Sequence, residues 1–110
     1  MITLDSAREL ALSLPDATEH DHRGRPSFRA GGKIFATLWP DERRVVVKLT
    51  LADQEALEQL EPDAVKRVPG GWGGQGWTSV FLDQLNDATL LRTLRLAHSL
   101  VTAKRARRRR

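Results

Sequence analysis

The chain has no cysteine and no tyrosine, one methionine, and aromatic residues at only 5% of its 110 positions. Without cysteine there is no disulfide, no thiolate nucleophile and no thiolate metal ligand. That fits a reducing compartment. No apolar run approaches the roughly 20 residues needed to span a bilayer. The N-terminus lacks a basic region followed by an apolar one, so no signal peptide is expected and a cytoplasmic protein is. Internal repeats and long linkers are absent too, and 110 residues suffice for one domain with a real core. Catalytic signatures are equally scarce. No Ser/His/Asp set is readable, and the carboxylates are scattered rather than paired, so an enzyme is not expected.

The charge that is present is unevenly placed. The whole chain has 18 Lys+Arg against 14 Asp+Glu. Six of those cations lie in the last seven residues, 104–110. Residues 1–103 therefore carry 18 − 6 = 12 cations against 14 anions, a formal net of −2. The basic character belongs to a tail at 104–110, and the domain at 1–103 is slightly acidic. A basic domain would point firmly to nucleic acid. A basic tail binds any polyanion and points there less firmly. Arginine outnumbers lysine 14 to 4, a composition suggestive of a GC-rich bacterial source.

Periodicity supplies the elements. Leu4, Ala7, Leu10, Ala11 and Leu14 recur at helical spacing, with Thr3 as N-cap, Ser6 and Glu9 as a competing capping box, and Pro15 as the stop. Phe28–Ala30, Lys33–Trp39 and Arg44–Leu49 form an antiparallel meander, turned at Gly31-Gly32 and again at Pro40–Arg43. Alternation along the second strand puts Ile34, Ala36 and Leu38 on one face and Lys33, Phe35, Thr37 and Trp39 on the other. Val45, Val47 and Leu49 oppose Val46 and Lys48 in the third. Thr50 caps a helix that turns Ala56, Leu57 and Leu60 inward and stops at Pro62. A short extended piece follows at Val65–Val68. Asn86 or Asp87 caps a last helix whose wide apolar stripe runs from Leu90 to Val101, with His98 packed at its edge. The alanine- and arginine-rich tail continues that helix.

Two segments invite chemistry and are read structurally. Glu19-His20-Asp21-His22 would place two imidazoles on one side if extended. Two imidazoles make a weak metal site, and His98 is the only other histidine, so residues 16–26 are expected to be a solvated loop. Gly70–Trp77 holds five glycines among eight residues and is expected to be a flexible loop. Its Gly71-x-Gly73-x-x-Gly76 spells the dinucleotide fingerprint, but it runs into the strand-like Trp77–Leu82 and opens no helix, so the fingerprint is rejected. No Gly-Lys-Ser/Thr follows, so a P-loop is excluded. Trp77 fits a strand; Trp72, at the loop centre, is free to stack on a base or an apolar ligand.

The element order, with Leu10–Pro15, Gly24-x-Pro26-x-Phe28, Gly32-Lys33-x-Phe35-Ala36, Val47-Lys48-Leu49 and Trp77 before its strand, resembles the MmcQ/YjbR family of small bacterial proteins. The likeness spans nearly the whole chain outside the arginine tail. It implies a CyaY-like α+β fold, an antiparallel sheet made of the meander and a later strand, with three helices mainly on one face. It also implies a "double wing" DNA-binding label, and it transfers no catalytic residue and no cofactor.

The expected function is therefore DNA binding through wing-like hairpins. Arg25, Arg29, Lys33 and Lys48 would meet phosphates, and Trp72 would stack or wedge. Arg105, Arg107 and Arg108 in the tail would add non-specific affinity. The alternative is a non-enzymatic module that holds a small anionic ligand or an acidic peptide on the face bearing Lys33, Phe35, Trp39 and Lys48.

Overall fold

A computed structural model describes residues 2–108, with side chains as far as Ala103. The elements run α1 (Leu4–Leu12), β1 (Thr18–His22), β2 (Arg25–Ala30), β3 (Lys33–Trp39), β4 (Arg44–Lys48), α2 (Leu51–Leu60), β5 (Val65–Arg67), α3 (Gly71–Gly74), β6 (Trp77–Phe81) and α4 (Asp87–Arg108). The six strands form one sheet in the order β1-β2-β3-β4-β6-β5, and every neighbouring pair is antiparallel. This is the expected α+β architecture with two more strands, β1 and β5, at its edges.

The helix caps follow from side chains that can reach orphan amides. Thr3 Oγ1 accepts from Ser6 N at 2.9 Å, so Thr3 and not Ser6 starts α1. Thr50 Oγ1 accepts from Asp53 N at 3.1 Å, and Asn86 Oδ1 from Thr89 N at 2.9 Å. Gly31 and Gly32 both have positive φ, +63° and +80°, which a two-residue hairpin turn requires.

One face of the sheet is packed. Phe28, Ala30, Ala36, Val45, Val47 and Val80 meet Ala7 and Ala11 of α1 and Leu90, Leu94, Ala97 and Val101 of α4 in a single core. Each fully buried Phe, Leu or Val contributes about 1.5–3 kcal/mol relative to exposure. α4 lies against β3 and β4 and also against α1, which accounts for the width of its stripe. His98 sits at the edge of that stripe as expected. Its Nε2–H donates to the Pro15 carbonyl at 2.7 Å, and its ring meets Phe35 edge-on with centroids 5.5 Å apart. Among the described residues no helix is long and apolar enough to cross a membrane.

Four expectations are corrected. Residues 18–22 are not a loop but an edge strand, paired with β2 through a turn at Arg23 and Gly24, both of positive φ. Its side chains are nearly all exposed, so it has no apolar alternation, and its pairing partner makes it a strand. In β3 an extra residue interrupts the pairing with β2: Phe28 faces Ala36, yet Arg29 faces Ile34. This bulge puts Phe35 on the core side, fully buried, and leaves Ile34 with Thr37 and Trp39 on the other face. In α2 the inward positions belong to Gln54 and Leu57, while Ala56 and Leu60 are exposed. Finally, Gly70–Trp77 is a built segment rather than a slack one. Its one-turn helix α3 is followed by Gly76 O accepting from Leu49 N at 3.0 Å.

Candidate nucleic-acid interface

The opposite face of the sheet has no helix in its register. Pairing fixes which side chains share it, because alternate residues project to one side. At one end His22, Arg25, Trp39, Arg44 and Phe81 stand side by side across β1, β2, β3, β4 and β6. The middle row is His20, Ser27, Thr37, Val46, Ser79 and Lys66. At the other end Thr18, Arg29 and Ile34 form one group, and Lys48 and Trp77 another.

The charged strand positions of this face are of one sign. Arg25, Arg29, Arg44, Lys48 and Lys66 occupy its strand positions, and no strand position there is a carboxylate. Glu19 and Asp21 of β1 lie in the opposite register, facing Phe28 and Pro26. Most other carboxylates sit on helices and turns. The net −2 of residues 1–103 thus conceals a polarised surface.

The cations are organised around tryptophan. The Arg25 guanidinium lies 3.5 Å from the centre of the Trp39 ring and that of Arg44 lies 4.1 Å from it, so the flanking strands clasp the indole between two cations. Arg44 also donates to Ser79 Oγ at 2.8 Å and pairs with Glu42 at 3.2 Å. Trp39 Nε1–H donates to Thr37 Oγ1 at 3.1 Å. Lys48 Nζ stands 5.3 Å from the centre of Trp77. The Nε of Arg29 is buried with no hydrogen-bond partner among the described residues, a donor facing no acceptor.

Besides Arg44, three arginines are committed to carboxylates. Arg8 pairs with Glu19 and so ties α1 to β1. Arg43 binds Asp83 at 2.8 Å and the Ile2 carbonyl at 2.6 Å. Arg67 binds Glu58 at 2.7 Å. Hydrogen bonds from Arg43 and Arg67 hold the Asp83 and Glu58 carboxyls below the usual carboxylate range.

Trp72 stands at the tryptophan end on α3, 62% exposed and edge-on to Trp77 with centroids 6.4 Å apart. Its position depends on close backbone packing. A Cβ on Gly73 would fall 2.1 Å from the Val68 carbonyl oxygen, and one on Gly76 would fall 2.0 Å from that of Leu49. Gln54, fully buried, donates from Nε2 to Gly73 O at 3.0 Å and to Thr78 Oγ1 at 3.0 Å, which fastens α2 to α3 and β6. At the opposite end the β1–β2 and β3–β4 turns lie side by side and frame a cleft of about 250 Å³, where Arg23 and Arg25 face Asp41 and Glu42 across Trp39.

Of the residues singled out from the sequence, Arg25, Arg29 and Lys48 share the open face, with Trp72 at its rim. Lys33 does not join them. It pairs with the buried Ala30 at the hairpin tip, in the register of the packed side. Phe35 leaves the face for the core. The backbone of α4 continues to Arg108, and the side chains of Arg105, Arg107 and Arg108 lie outside the described residues. His20 and His22 share the open face, but among the described residues no group of three or more metal-ligating side chains gathers. Arg44, Lys66 and Trp77 were missed as site residues. Counting outward from the Pro40–Arg43 turn sets Arg44 opposite Trp39, and this was the available signal.

Helices on one face of a six-stranded antiparallel sheet, with cations along the strand positions of the other, define the class: an α+β domain with one helix-free sheet face. The chain belongs to the YjbR family, whose model matches residues 12–100. It is also similar to the crystal structure of a Deinococcus radiodurans protein with the DUF419 domain. That likeness has a TM-score of 0.77 at 23% identity and covers 93% of this chain and 80% of the other. At that identity the likeness is one of fold. No curated protein sequence matches the chain.

Proposed function

We propose that this YjbR-family protein is a non-catalytic nucleic-acid-binding domain whose contact surface is the open face of the sheet. One observation carries the reading. Five cations and no carboxylate occupy the strand positions of that face, in a domain whose formal charge over residues 1–103 is 12 − 14 = −2. Phosphates would pair with Arg25 and Lys48 and release counterions, while Arg44, largely buried and paired with Glu42, holds Trp39 in place. The two adjacent hairpin turns are the wings of this reading. Their tips bear Asp41 and Glu42 as well as Arg23 and Arg25, so they frame the surface while the face takes the phosphates. The basic tail adds affinity without specificity.

The cleft between the turns supports a second reading, a small ligand carrying both signs of charge, since arginines and carboxylates confront each other there.

The test is fluorescence anisotropy with a labelled 20-nucleotide DNA, single-stranded and duplex, over a salt series. The full chain, residues 1–103 and the double variant R25E/K48E are compared. The truncated domain is expected to bind measurably. The double variant is expected to bind far more weakly, with a log K against log salt slope smaller by roughly 1.4 for the single strand and roughly 1.8 for the duplex, the values for two phosphate contacts. Loss of all binding with residues 104–110 would show that the face reads no nucleic acid.

A further inference from the structure

Trp72 is a large aromatic side chain left 62% exposed beside a cationic surface. Resting on the nucleic-acid reading above, we infer that the face selects single-stranded nucleic acid and that an unpaired base stacks on Trp72.

The geometry of the two tryptophan groups distinguishes a single strand from a duplex. Trp39 has guanidiniums at 3.5 and 4.1 Å, supplied by the strands on either side of it. With two guanidiniums that close, its ring is already engaged and is not the surface a base would settle on. Trp72 meets Trp77 edge-on at an interplanar angle of 66°, so a broad part of its ring remains open to a partner. A base can stack on an indole or on a guanidinium plane only when it is unpaired and splayed out, because in a duplex both faces of each base are already covered. The two groups lie at opposite ends of β4, with Arg44 at one and Lys48 at the other. Four residues along a strand span roughly 13 Å, enough for a few nucleotides laid between them. In the middle row Ser27, Val46 and Ser79 are buried and Thr37 is half-buried, so a strand would cross above this row, over the longer side chains that flank it, and no carboxylate stands in the row to repel a phosphate.

The platform is also fixed in place. Gly73 and Gly76 admit no side chain, and Gln54 anchors the Gly73 carbonyl from below. A rigid, exposed aromatic at the rim of a cationic face loses little freedom when a base settles on it.

The experiment uses the full chain with labelled dT10 and a 10-base-pair duplex at one salt concentration. W72A and W72F are compared with the wild type. Thermal melts of W72A are expected to match the wild type, because the side chain is mostly in water. The wild type is expected to bind dT10 more tightly than the duplex. W72A should lose about ten-fold or more in dT10 affinity with little change for the duplex, and W72F should recover most of the loss. Binding of dT10 should also quench tryptophan fluorescence in the wild type. If the duplex binds as tightly as dT10 and W72A changes neither, the single-strand inference is overturned while nucleic-acid binding by the face stands. If neither probe binds the wild type, both fail together.

Discussion

At the scale of single residues, the tightest constraints lie beneath Trp72. Gly76 combines a φ of +104° with a Cβ position 2.0 Å from the Leu49 carbonyl oxygen. G76A must move backbone or accept strain, so it is expected to destabilise the protein by at least about 2–3 kcal/mol in urea unfolding. Gly74 has nothing within 4 Å of its Cβ position, and G74A should stay within about 0.5 kcal/mol of wild type. The contrast separates close packing from composition in a segment whose five glycines look alike in sequence. Gln54 is a second such residue. Its Nε2 serves two acceptors at 3.0 Å, and Trp77 O lies at 3.4 Å. Q54L leaves those acceptors unsatisfied in the interior and should cost about 1–3 kcal/mol. Q54E is nearly isosteric and is expected to cost more, because it aims a carboxylate at the same acceptors.

At the scale of elements, what could be read from the sequence was whatever local chemistry dictates. Thr3 and Thr50 cap helices because a hydroxyl can reach the amide three residues on. Gly31-Gly32 makes a hairpin because glycine takes two successive positive φ values without strain. The elements that escaped are those defined by a partner. Thr18-Glu19-His20-Asp21-His22 has no apolar side, and its strand character comes from β2 alongside it. The bulge in β3 leaves the alternation of Lys33–Trp39 unchanged on paper, yet it moves Phe35 from the open face to the core. F35A tests this directly. A buried Phe35 predicts a loss of about 3–5 kcal/mol in denaturant unfolding. An outward Phe35 would give a value within about 1 kcal/mol of wild type. The same limit governed the site. Arg25, Arg29 and Lys48 were recognisable as cations near the meander, but only the register shows that they share a face with Arg44 and Lys66 and that Lys33 does not.

At the scale of the whole molecule, charge is segregated by layer. Cations occupy the strand positions of the helix-free side of the sheet. Several carboxylates elsewhere are held by arginines that bridge distant elements. Asp83 and Glu58 have their pKa values lowered by Arg43 and Arg67. Both groups bind protons less readily folded than unfolded. Their contribution is therefore complete above the ordinary carboxylate range and is lost as pH falls through that range and below it. Both pairs are at the surface, so the effect is small. Urea melts of D83N/E58Q should show a shallower fall in stability between pH 7 and pH 3 than the wild type.

The central claim is that the open face of the sheet, and not the arginine-rich end of α4 alone, receives nucleic acid. The measurement that tests it most directly is NMR chemical-shift mapping of the full chain titrated with a short single-stranded DNA. The account predicts shifts for the guanidinium Nε–H groups of Arg25, Arg29 and Arg44, the indole N–H groups of Trp72 and Trp77, and the amides of β2, β4 and β6. Shifts confined to residues 104–110, with the sheet unmoved, would contradict it.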